Sequence, residues 1–86
     1  MSIRTEVARV ARAHGWTVTA PKPDPIDAKR GASVVIYNRH LGQRILIGWH
    51  GSKVHLAVRD HCLPTEQWAR GDTRLITVFE WLESNA

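Results

Sequence analysis

The stretch that decides the fold runs Arg44-Ile45-Leu46-Ile47-Gly48-Trp49-His50-Gly51-Ser52-Lys53-Val54-His55-Leu56-Ala57-Val58-Arg59. Two β-rich segments flank Gly51-Ser52, and a glycine at the first central position of a two-residue connection is a hairpin signal of type II′. Closing that turn sets a register. Trp49 then opposes Val54, Ile47 opposes Leu56 and Ile45 opposes Val58, and all six are apolar, so this face is expected to meet the core. The reverse face pairs Arg44 with Arg59, Leu46 with Ala57, Gly48 with His55 and His50 with Lys53.

Working outward, Ser33–Arg39 reads as a strand joined to Gln43–His50 through Leu41-Gly42, and the last hairpin strand extends over Lys53–Asp60. Before these, residues 2–14 read as a helix with Ile3, Val7, Val10, Ala11 and His14 on one stripe, stopped by Gly15. Thr5, Arg9 and Arg12 project from the opposite, solvated face. A short strand over residues 16–20 runs into Pro21-Lys22-Pro23-Asp24-Pro25, where the prolines forbid a central strand, and residues 21–31 read as a Pro-rich surface loop. After Pro64, residues 65–70 read as a short helix ending at Gly71. Asp72 or Thr73 is placed to cap a final segment in which Leu75, Ile76, Phe79 and Leu82 form a helical stripe. The β-branched content of residues 75–79 keeps a fourth strand open for this segment.

The expected architecture is α+β in α-β-β-β-β-α order. An antiparallel sheet of three to four strands packs against an N-terminal helix and a C-terminal helical segment, in one domain spanning 1–86. At 86 residues the chain buries roughly 60–65% of its unfolded surface, enough for one modest core. Hydrophobic residues make up 43% and charged residues 23%, which argues against wholesale disorder. No apolar run approaches the roughly 20 residues of a membrane helix, and Arg4, Glu6, Arg9 and Arg12 break any signal-like core. Cys62 is the lone cysteine, so no internal disulfide forms, and a cytoplasmic setting is expected.

The net charge of +4 and the preponderance of arginine among the 12 basic residues favour anionic partners. If Leu41-Gly42 is also a two-residue turn, Arg39 lies beside Arg44, Tyr37 lies beside Leu46, and Arg39, Arg44 and Arg59 form a row across three strands. Like charges in such a row destabilise it. It reads either as a nucleic-acid or other anion site, with Lys53 adding charge and Tyr37 and His55 offering stacking surfaces, or as a solvent face that discourages edge aggregation. Glu80 or Glu83 of a covering helix would neutralise it. A second candidate is Trp81, which the terminal stripe leaves on the far side beside Arg74, Thr77 and Val78. Trp next to Arg suits a protein-partner or homodimer contact, while packing on Trp68 or the first helix is the structural alternative.

Catalytic constellations are not evident, and the chain is not expected to be an enzyme. His50 and His55 sit roughly 7 Å apart on one face with no acid or thiol beside them, so no metal site is expected. His61-Cys62 reads as a quiet thiol before a helix start. The acids Glu6, Asp24, Asp27, Asp60, Glu66, Asp72, Glu80 and Glu83 are too scattered to hold magnesium. Arg70-Gly71-Asp72 reads as a helix stop and the next cap. Neither a phosphate loop nor a nucleophile elbow occurs, and no cofactor is expected. The order helix, three strands, helix resembles that of double-stranded-RNA-binding domains in element order alone. Pro64-Thr65-Glu66-Gln67 stands where those domains carry lysines, so no site carries over. The expected function is a small non-catalytic binding module of accessory or phage-type regulator character. It would bind nucleic acid or another polyanion through the arginine face, or alternatively a protein through the Trp81 face or a sheet edge.

Overall fold

The computed structural model describes residues 3–22, 24–40, 42–51 and 53–84. Ser2, Pro23, Leu41 and Ser52 of the expected helix, loop and turns lie outside the described residues. Five antiparallel strands form one sheet in sequential order: β1 (Thr17–Thr19), β2 (Ala32–Arg39), β3 (Gln43–His50), β4 (Lys53–Arg59) and β5 (Gln67–Ala69). Helix α1 (Ile3–Ala13) precedes the sheet, α2 (Pro25–Arg30) lies between β1 and β2, and α3 (Arg74–Glu83) closes the chain after a 3₁₀ turn at Gly71–Thr73. The α+β class holds, with one strand more than expected. No helix of the described residues is long and apolar enough to cross a membrane.

The core lies between one sheet face and the two longer helices. Val7 and Ala11 of α1 and Val78, Trp81 and Leu82 of α3 pack with Val35, Tyr37, Ile45, Ile47, Trp49, Ala57 and Ala69. Trp16, at the end of the α1–β1 link, joins this cluster and donates its indole N–H to the Leu82 carbonyl at 2.9 Å. That bond ties the two ends of the chain together and satisfies a buried donor that would otherwise be costly.

Four expectations are corrected. Residues 65–70 are not helical, because Ala69 and Trp68 pair with Ala57 and Val58 as β5. The loop at 21–31 contains α2. The Asp24 carboxylate accepts the Asp27 N–H at 2.8 Å, Pro25 occupies the first turn, and Gly31 closes the helix at φ 70°. His14 and Ile3 fall outside the buried part of the α1 stripe. In α3 the buried line runs Val78, Trp81 and Leu82 while Ile76 is 59% exposed, which rotates the helix away from the expected stripe.

The registers differ by a residue on each side of β3. Gly51, at φ 62°, makes the expected turn, with His50 opposite Lys53 and Trp49 opposite Val54. A β-bulge then sets His55 apart, so that Gly48 faces Leu56, Ile47 faces Ala57, Leu46 faces Val58 and Ile45 faces Arg59. The physical reason lies on the helix side. Ala57 and Ala69 are neighbours there and form a shallow floor that lets α3 seat Trp81 and Leu82 against the sheet. Leu56 and Val58 would crowd that floor, and the bulge moves both to the other face. The β2–β3 connection spans three residues, 40–42, with Gly42 at φ 77°, so Arg39 opposes Gln43 and Tyr37 opposes Ile45.

Candidate functional site

A one-residue slip moves every side chain to the opposite face, and the arginine row does not survive it. Arg44 lies across from Asn38, whose side-chain oxygen accepts from its Nε at 3.3 Å. Arg39 is on the helix side, where its guanidinium stacks 4.3 Å from the Trp16 ring centroid and donates to Gln43 Oε1 at 2.6 Å. Arg59 shares the helix-side face with Ile45 and pairs along the ladder with Gln67. Tyr37, expected as a stacking surface, is buried to 1% exposure, and that burial pushes its phenol above the ordinary tyrosine value. Arg39 and Arg44 do line one shallow cleft, together with Asn38, Gln43, Asp60 and His61. Lys53 and His55 are exposed at the far end of the hairpin.

The helix-face candidate is corrected as well. Trp81 is 7% exposed and Val78 fully buried, both within the core, and Arg74 is half-buried at the start of α3. The expected stripe of Leu75, Ile76, Phe79 and Leu82 leaves Trp81 outside, whereas the buried line through Val78, Trp81 and Leu82 turns it inward.

What the structure does assemble is a surface on the sheet's other side. Outward from the same strands that build the core, Ile36, Leu46, Val58 and Trp68 stand in one cross-strand row, and Val34 and Leu56 flank Gly48 in the next. Neither α1 nor α3 packs there; their buried residues all meet the opposite face. Val34 is 40% and Trp68 41% exposed, Ile36, Leu46 and Leu56 are half-buried, and Val58 lies closed between its neighbours. An antiparallel sheet with one solvated face normally alternates apolar and polar residues. Here the central strands are apolar on both faces, the pattern of strands covered on both sides.

Basic side chains stand at both ends of this surface. Arg44 adjoins one end of the row, and Lys53 and His50 share the other end of the hairpin. Lys22 and His55 line a depression over Gly48 and Val34, where Asp24 and Asp27 supply the acids. The Asp24 carboxylate caps α2, and Asp60 accepts the Thr65 hydroxyl at 2.9 Å. Glu66 accepts the Cys62 N–H at 2.7 Å and the Trp68 indole N–H at 2.8 Å, and contacts His61 Nδ1 at 3.0 Å. Those bonds hold its carboxyl below the usual carboxylate range, the Cys62 N–H contributing most. The acids nearest the surface, Asp27 apart, are thus engaged within the chain.

No protein-family model, no curated protein and no solved structure matches the chain. Sequence reasoning missed the surface because it hung on the bulge, although a signal was present. Val34-Val35-Ile36-Tyr37 and Ile45-Leu46-Ile47 are unbroken apolar runs, which mark strands buried on both faces.

Proposed function

We propose that this protein is a non-catalytic interaction module that docks a protein partner on the sheet face opposite α1 and α3, the partner presenting apolar side chains among acidic ones. The row Ile36, Leu46, Val58 and Trp68, flanked by Val34 and Leu56, carries the reading. A contiguous apolar patch on a small protein marks an interaction surface more often than a solvent face. Trp68 suits the role of anchor, because its indole is held by Glu66 and flanked edge-on by His61 at 5.7 Å.

The partner's acidity follows from the rim, where Arg44, Lys53 and Lys22 have no carboxylate within ion-pair distance among the described residues. Charge of this kind steers encounter and selects partners, while the apolar centre supplies affinity. Nucleic acid is less well served. Among the described residues the one exposed tryptophan continues a row of aliphatic side chains, Tyr37 is buried, and Arg39 is occupied by Trp16 and Gln43.

The test is capture on the immobilised chain from nuclease-treated lysate, comparing wild type with Val34→Glu and Trp68→Ala after matched melting curves. An acidic protein retained by wild type, reduced at least tenfold by both variants and weakened by added salt supports the proposal. Equal retention by the variants overturns it, as does loss of all capture on nuclease treatment, which would shift the assignment to nucleic acid.

A further inference from the structure

The loop between β4 and β5 doubles back on itself, with Asp60 at φ 55° and Cys62 at φ 67°, both in the left-handed region that side chains rarely adopt. Leu63 N–H donates to the Asp60 carbonyl and Glu66 N–H to the Leu63 carbonyl, each at 3.0 Å, so Glu66 returns to the start of the loop. Three different donor chemistries meet there: the imidazole of His61, the thiol of Cys62 and the carboxylate of Glu66. Their ligating atoms all lie within 4.8 Å of one another, and all three residues are exposed.

We infer that His61, Cys62 and Glu66 form a binding site for a zinc-class divalent ion, with water completing its shell. Nitrogen, thiolate and carboxylate oxygen are the donors zinc takes, at bond lengths of about 2.0–2.3 Å, which place tetrahedral ligands roughly 3.3–3.8 Å apart. Small side-chain rotations close the present separations to that range. The His61 Nδ1–Glu66 Oε2 contact, at 3.0 Å, is already shorter. The sulfur favours zinc, cobalt or nickel over magnesium or calcium, which take oxygen alone. Binding expels the thiol proton, while a neutral His61 ligates through Nδ1 with its N–H on Nε2, so affinity rises with pH. Trp68 acts one step further out. Its N–H on Glu66 Oε1 fixes the carboxylate, as the outer hydrogen bonds of metal sites do. That bond also joins the site to the row containing Trp68 and Val58, so the ion would steady the anchor of the sheet face. The site stands independently of the docking proposal, because it needs no partner.

The experiment uses the full chain, kept reduced, and metal alone: zinc by competition with a chromophoric chelator, and cobalt by absorption. The expected result is one ion per chain with a sulfur-to-cobalt charge-transfer band that Cys62→Ser abolishes. His61→Gln and Glu66→Gln each weaken zinc binding at least tenfold, while a His50→Gln, His55→Gln double variant leaves it unchanged. His50, His55, His61 and Cys62 are exposed, so their variants keep their melting curves, and Glu66→Gln, whose carboxylate also holds the Cys62 N–H, is compared well below its own melting transition. Zinc bound equally well by Cys62→Ser, the absence of a charge-transfer band, or loss of binding in the His50/His55 variant overturns the assignment.

Discussion

Replacing Gly48 by alanine tests the register that creates the sheet face opposite α1 and α3. A β-carbon at this position comes 2.9 Å from Leu56 Cγ and 3.4 Å from both its methyl carbons, closer than carbon atoms pack. Cγ is the branch point of leucine, so the whole side chain must rotate or the strands must part. Overpacking of this kind costs about 1–3 kcal/mol. Removing a glycine from a strand returns about 0.5–1 kcal/mol, and a net loss of about 1–2 kcal/mol remains. For a domain of this size that lowers Tm by about 4–15 °C. The informative measurement is a double-mutant cycle by urea and thermal unfolding with Leu56→Ala. Truncating Leu56 removes the obstacle, so Gly48→Ala becomes neutral or slightly stabilising in that background, a coupling of about 1–3 kcal/mol. Leu56→Ala alone costs less than the roughly 2–5 kcal/mol of a core leucine, because Leu56 is half-buried on the outer face. An equal cost of Gly48→Ala in both backgrounds would refute the Gly48–Leu56 pairing. So would a core-sized loss from Leu56→Ala, as the unbulged register requires.

Trp81→Ala is expected to cost about 3–5 kcal/mol by chemical denaturation, because Trp81 belongs to the buried cluster that includes Ala57 and Ala69; a change within about 0.5 kcal/mol would return it to the surface. The lowered carboxyl of Glu66 makes the β4–β5 loop sensitive to acid. Its contribution is fully present above the ordinary value of 4.5 and is lost as pH falls through the lower folded-state value. Trp68 fluorescence followed from pH 6 downward (roughly the neutral side of the carboxyl range) should therefore change only below that ordinary value, and Glu66→Gln should flatten the transition.

Much of the fold was legible from residue pattern. The turn at Gly51, the bounds of β3 and the helical period of residues 75–82 follow from local chemistry, and all three stand in the structure. The failures share a cause. Whether Ile47 faces Leu56 or Ala57 is decided by how closely α3 approaches the sheet, a tertiary fact with no local signature. Strand β5 is held by pairing with β4 and buries Ala69 in the core, and three residues are too few for a period to show. Helix α2 was different, since Asp24, Pro25 and Gly31 are a cap, a first-turn proline and a left-handed stop, outweighed in the reading by the prolines around them. The arginine row inherited the register error, because parity alone had placed its members. The apolar runs in β2 and β3 were the better guide to the surface, since they do not depend on register.

The most direct test of the docking face is amide chemical-shift mapping of the isotopically labelled chain titrated with the captured acidic partner. Perturbations centred on Val34, Ile36, Leu46, Leu56 and Trp68, fading across α1 and α3, are the predicted result. Perturbations centred on the exposed face of α1 around Thr5, Arg9 and Arg12, with the sheet row unmoved, would contradict it.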